Sequence, residues 1–122
     1  MDELIDRHYR AEERSDPDGA VADFTKEILH EVAGTHRLYG RDAARIFYVD
    51  LFATLRLTRI TSERRLYGRS FAIDEARVEA VTQDGEPTVF RLLHVFEFAN
   101  GRISRESAWQ APLYEGPALT ER

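Results

Sequence analysis

VFRLLHVFEFANGRISRESAWQAP, running from Val89 to Pro112, is the most strongly specified stretch of this chain. Two runs rich in Phe, Val, Leu, Ile and Trp flank Asn100-Gly101, the dipeptide that most favours a two-residue type I′ turn, because both turn positions need φ > 0. A β-hairpin is predicted. With these two residues as the turn, Ala99 lies opposite Arg102, Phe98 opposite Ile103, Phe96 opposite Arg105, His94 opposite Ser107 and Leu92 opposite Trp109. Strand side chains alternate between faces, so Leu92, His94, Phe96, Phe98, Ile103, Arg105, Ser107 and Trp109 share one mostly apolar side. The other side, with Leu93, Val95, Glu97, Glu106 and Ala108, is mixed, as suits a solvated or partner-covered surface. His94 is therefore expected to point inward. A lone histidine on an apolar face is more often a satisfied core residue than a catalyst, so this position alone is a lead.

Outward from the hairpin, the chain reads as one domain over residues 1–112 with a ten-residue tail, 113–122, that contains Gly116-Pro117. Its 122 residues suffice for one core but not two. Hydrophobic residues make up 43% and charged residues 32%, and no apolar run approaches the roughly 18 residues needed to span a bilayer. No membrane association is expected. The N-terminus is acidic and amphipathic, unlike a secretory signal, so a cytoplasmic location is the default. With no cysteine, thiolate chemistry, disulfides and cysteine-based zinc sites are excluded. The formal charge of −5 argues against non-specific nucleic-acid binding.

Before the hairpin, residues 2 to 14 place Leu4, Ile5, His8 and Tyr9 at helical spacing, which predicts an amphipathic helix with His8 on its buried stripe. Asp16-Pro17 is a good N-cap and first-position pair for a short second helix through about Phe24. Ile28 to Val32 reads as a strand and Gly34 to Gly40 as a loop. A third helix from about Arg41 to Thr54 shows the strongest helical period, with Ala44, Phe47, Tyr48, Leu51, Phe52 and Leu55 on one stripe. From Leu57 onward the pattern is β, roughly 57 to 67 and 70 to 82, then a turn at Gln83-Asp84-Gly85-Glu86-Pro87. Helices followed by long strands predict an α+β fold: a cone-shaped, curved, mostly antiparallel sheet with three N-terminal helices packed on its concave face. Such a cone is a natural small-molecule site.

Gly-rich phosphate loops, His-Glu-x-x-His, nucleophile elbows and Cys/His metal spacings are absent, so neither a cofactor nor a metal is expected. The titratable residues on otherwise apolar elements are His8, His30, Glu31, Asp74, His94 and Glu106. His30 and Glu31 are adjacent in one strand, so only one faces the interior, and the sequence does not say which. Asp74 and Glu106 read as outer-face or interface charges. Arg105, on the apolar face, needs a partner such as Glu31 or a ligand carboxylate.

Three stretches carry a resemblance. Asp16-Pro17-Asp18-Gly19-Ala20-Val21-Ala22-Asp23-Phe24 is similar to an Asp-x-Asp-Gly-x-Val-x-x-Phe pattern. Glu31-Val32-Ala33-Gly34, then Gly40 and a helix ending Arg45-Ile46-Phe47-Tyr48, is similar to Asp-Pro-Val-Gly, Gly and Arg-x-Phe-Tyr. Leu93-His94-Val95-Phe96-Glu97-Phe98 with Gly101-Arg102-Ile103 is similar to Asp-His-Phe-Arg-Phe and Gly-Lys-Val. In these the chain resembles the nuclear transport factor 2-like superfamily, in its branch of ketosteroid isomerases and SnoaL-type polyketide cyclases. The resemblance implies a homodimeric isomerase or cyclase acting on a hydrophobic carbonyl compound by cofactor-free enolisation. It puts Glu31 at the general base, His8 and His94 at the oxyanion donors and Tyr48 at their supporting tyrosine. His30, Phe96, Trp109 and Arg105 are then expected to line the ligand site. The alternative is a non-catalytic hydrophobic-ligand-binding or dimerisation module of the same fold.

Overall fold

The computed structural model describes residues 1–112; the expectations for the tail, Leu113 and Tyr114 included, lie outside the described residues. In chain order the elements are α1 (Asp2–Glu13), α2 (Pro17–Val21), β1 (Phe24–Val32), β2 (His36–Tyr39), α3 (Arg41–Thr54), β3 (Leu55–Tyr67), β4 (Phe71–Thr82), β5 (Pro87–Ala99) and β6 (Arg102–Pro112). The six strands form one curved, unclosed sheet in the order β2-β1-β6-β5-β4-β3, antiparallel except where β1 runs parallel to β6. Helices α1 and α3 pack against its inner face and α2 packs on those two, which makes the predicted α+β cone.

Each element follows from local chemistry. Asp16 caps α2 by accepting from the Gly19 N–H at 3.0 Å, and Pro17 fills its first turn. The helix stops at Val21, earlier than expected, because Phe24 already begins β1 and is fully buried. The stretch read as a loop after Gly34 contains β2, which pairs back on β1 from His36↔Val32 to Tyr39↔Leu29. On β4, Ala72, Asp74, Ala76, Val78 and Ala80 face inward, and the alanines leave room for the helices above them. Tyr9, Tyr48, Phe24, Phe96, Ile5, Ile28 and Ile103 are the largest buried side chains, each apolar surface contributing about 1.5–3 kcal/mol on burial.

The hairpin turn forms as predicted, with φ of 53° at Asn100 and 72° at Gly101. Its register does not hold beyond the first pairs. Phe98 pairs with Ile103, but Glu97 pairs with Arg105, so Ser104 is an extra residue and β6 carries a bulge. Every later side chain of β6 therefore changes face: His94 pairs with Ala108 rather than Ser107, and Leu93 with Trp109. Glu106 turns inward, while Arg105 and Trp109 turn outward, Trp109 to 43% exposure. The expectations that Arg105 and Trp109 line the interior and that Glu106 is an outer charge are corrected by this one inserted residue. Asp74, also read as an outer charge, is fully buried.

Candidate active site

Helix α1 sends one stripe, Ile5, His8, Tyr9 and Glu12, into the cone, and all four are buried. The i, i+4 spacing of His8 and Glu12 brings His8 Nε2 to 3.0 Å from Glu12 Oε1. The β6 bulge delivers Glu106 from the opposite wall, with Oε1 at 3.1 Å from the same His8 nitrogen. The other nitrogen, Nδ1, donates to the Ala20 carbonyl at 2.7 Å. A carbonyl and two carboxylates only accept, so His8 holds a proton on each nitrogen. Burial opposes that charge, yet the Glu106 and Glu12 carboxylates outweigh it and hold the His8 pKa well above 6.5.

His94 approaches Glu106 from β5, its Nε2 at 3.6 Å from Oε2, beyond hydrogen-bonding range. Its Nδ1 lies 2.9 Å from the Tyr9 hydroxyl, which donates its own proton to Asp74 Oδ2 at 2.5 Å. Asp74 is held in turn by Arg65 Nε at 2.9 Å and the Ser62 hydroxyl at 3.1 Å. Because the Tyr9 proton is committed to a carboxylate, His94 must carry its proton on Nδ1. Burial holds its pKa below 6.5 despite Glu106, which leaves Nε2 with a free lone pair. Two histidines flank one carboxylate and titrate in opposite directions because His8 is nearer and has a second carboxylate.

A second chain of hydrogen bonds enters from β1. His36 Nε2 lies 3.1 Å from His30 Nδ1, His30 Nε2 lies 3.0 Å from the Tyr48 hydroxyl, and Tyr48 donates to Glu106 Oε1 at 3.2 Å. With the Tyr48 proton on Glu106, His30 donates from Nε2 and accepts from His36. Burial lowers the His30 pKa to about 4. Glu106, although buried, sits below the ordinary carboxylate range because His8, His30 and His94 surround it. Burial and the Glu106 charge keep the Tyr48 hydroxyl protonated well above its usual range.

These groups open onto a cavity of about 110 Å³. Val32, Phe47, Leu51, Leu57, Phe90 and Leu92 supply apolar walls, and Glu12, His30, Tyr48, His94 and Glu106 supply its polar groups. The structure thus gathers His8, His30, Tyr48 and His94 at one place. His8 stands behind Glu12, Glu106 and Tyr48, and Phe96 packs behind His94 with ring centroids 5.1 Å apart, so both support the wall instead of forming it. Glu31 is on the outer face. Arg37 binds it at 3.0 Å and Ser107 at 3.1 Å, and Arg105 reaches it at 3.4 Å; the first two hydrogen bonds lower its pKa. In β1 it is His30 that faces inward, 2% exposed.

Sequence reasoning missed Tyr9, Glu12 and His36 and misplaced Asp74 and Glu106. The spacing of Ile5, His8 and Glu12 was a readable signal for Glu12, being the continuation of a buried helical stripe. For His36 no signal existed without β2.

The fold and site define a small α+β cone whose interior carries acid/base groups. A family model described as "SnoaL-like domain" matches residues 5–106, and the chain belongs to that family, within the nuclear transport factor 2-like superfamily. Comparison with curated proteins found no match. Among solved structures, a Bacillus subtilis protein provisionally assigned as an isomerase is similar at 18% identity and TM-score 0.82, covering 90% of this chain and 85% of that one. A Catenulispora acidiphila protein of ketosteroid isomerase-like fold, in complex with trimethylamine, is similar at 11% identity and TM-score 0.79, covering 87% and 83%. An LEH-like epoxide hydrolase of M. tuberculosis is similar at 16% identity and TM-score 0.77, covering 89% and 80%.

Proposed function

We propose that this protein is an isomerase or cyclase that acts on a small hydrophobic carbonyl compound by general acid/base chemistry, with His94 as the base. One observation carries the reading: His94 has its Nδ1 proton fixed on Tyr9 and keeps a bare Nε2, facing Glu106, in the wall of a largely apolar cavity. Nε2 takes a proton from the carbon α to the carbonyl, and the C–H electron pair moves into the enolate. The Tyr48 hydroxyl and the His30 Nε2–H, both at the cavity, turn from their partners Glu106 and Tyr48 to donate to the enolate oxygen. Donors of this kind lower such barriers by about 3–4 kcal/mol each. The His94 imidazolium, facing Glu106, then returns the proton to another carbon, which moves a double bond, or the carbanion attacks a second carbonyl and closes a ring, the C=O π pair moving to that oxygen, which takes the proton from His94.

His8 serves this scheme by fixing Glu106 and Tyr48. Glu31 and Arg105 take no part in it; they tie β1 to β6 from outside. The outer sheet face, where Leu93 and Trp109 pair and stand 40% and 43% exposed, is the surface we assign to a second copy of the chain. The test is conversion of cyclohex-3-enone to its conjugated isomer, followed by absorbance. The expected result is turnover in the wild type that falls at least about a hundredfold in His94→Gln. Equal rates in the two proteins would remove His94 as the base, and saturable binding without turnover would favour a ligand-binding module.

A further inference from the structure

Chemistry does not require His8, Glu12 and Glu106 to be joined only by a proton. Their donor atoms, His8 Nε2, Glu12 Oε1 and Glu106 Oε1, all lie within 4.8 Å of one another, and all three residues are buried. The separations from the nitrogen are 3.0 Å and 3.1 Å. Ligand bonds of about 2.1 Å around a six-coordinate ion put neighbouring donors about 3.0 Å apart, so each carboxylate oxygen already stands from the nitrogen at the spacing of adjacent octahedral positions. We propose that His8, Glu12 and Glu106 form a binding site for a divalent first-row transition ion such as Zn²⁺ or Mn²⁺.

Two further observations point the same way. The His8 ring is oriented as a metal-ligating imidazole is oriented: Nδ1 is bound to the Ala20 carbonyl at 2.7 Å, which aims Nε2 at the two carboxylates. His94, 3% exposed, aims Nε2 at Glu106 from 3.6 Å, and among the described residues that nitrogen has no hydrogen bond.

The donor set, one imidazole and two carboxylates, suits borderline ions over thiophilic ones, and the chain contains no cysteine. Three protein ligands from α1 and β6 leave the remaining positions open, and Glu12 and Glu106 border the cavity. The open positions would take water or the oxygen of a carbonyl or enolate ligand. The site stands on its own donor atoms and not on the assignment of His94 as base.

The experiment is titration of tag-free, chelator-treated full-length protein with ZnCl₂ by calorimetry and with MnCl₂ by electron paramagnetic resonance. The expected result is one ion per chain, bound at least about tenfold more weakly by Glu12→Gln and by Glu106→Gln, with Glu31→Gln on the outer face unchanged. Where Glu106→Gln does not fold, Glu12→Gln alone decides. Absence of saturable binding, or binding equally tight in Glu12→Gln, would overturn the proposal. Cobalt substitution gives a second readout: visible d–d bands in the wild type that vanish in Glu12→Gln support the site, and identical spectra contradict it.

Discussion

The Tyr9 hydroxyl accepts a hydrogen bond from His94 Nδ1 at 2.9 Å, joining the first helix to the strand at the centre of the hairpin. The phenol oxygen can accept there only because its proton goes to Asp74, so a residue 65 positions further along the chain determines which face of an imidazole is basic.

Replacement of Tyr9 by Phe removes both bonds at once. His94 Nδ1–H loses its acceptor, while Asp74 keeps Arg65 and Ser62. The expected cost is about 1–3 kcal/mol in urea-induced unfolding, the penalty for a buried polar group left unpaired. In the enone assay kcat falls and KM holds, since Tyr9 touches no substrate.

Glu106 answers three histidines and a tyrosine, and Glu31 answers two arginines and a serine on the surface. Glu106→Gln leaves the buried His8 imidazolium with only Glu12, and the expected destabilisation is about 3–5 kcal/mol, as for breaking a buried ion pair. Glu31→Gln removes a screened pair and is expected to cost under about 1 kcal/mol. Parallel denaturation curves check the contrast; similar costs for the two variants would contradict the placement of Glu106.

Acid stability follows from His30, whose pKa is lowered by burial from 6.5 to about 4. The unfolded chain binds this proton near pH 6.5 and the folded chain does not, so this contribution is complete above about pH 6.5 and is lost as pH falls toward 4. The full shift corresponds to about 3 kcal/mol at about 1.4 kcal/mol per unit. His30→Gln, compared with wild type across pH 4 to 7, should therefore show a shallower fall in unfolding free energy. Superimposable slopes would show that His30 does not titrate in this way.

Trp109 is the sole tryptophan and lies on the outer sheet face. If that face meets a second copy, its emission shifts to the blue as protein concentration rises, and Leu93→Glu abolishes the shift. Emission independent of concentration, with a monomer mass in solution, would contradict the dimer.

The sequence exposed some of this arrangement and hid the rest for physical reasons. Asn100-Gly101 and the stripe of α3 were legible because turn chemistry and helical periodicity are local. The inward side of β6 was not, because Ile103 is its one strong apolar anchor and the bulge at Ser104 reverses everything after it. Residue-by-residue resemblance brought His8, Tyr48 and His94 to the interior. It placed Glu31 there too, but the two-residue period of β1 turns His30 inward and its neighbour out. Asp74 was unreadable as a buried group because its partners, Tyr9 and Arg65, come from other elements.

The most direct test of the central claim is the tautomer of His94, read by ¹⁵N nuclear magnetic resonance of protein labelled at its histidine side chains, with His94→Gln for assignment. The account predicts a neutral ring at pH 7 with the proton on Nδ1 and a pyridine-type Nε2. A proton on Nε2, whether in the opposite tautomer or in an imidazolium, would contradict it.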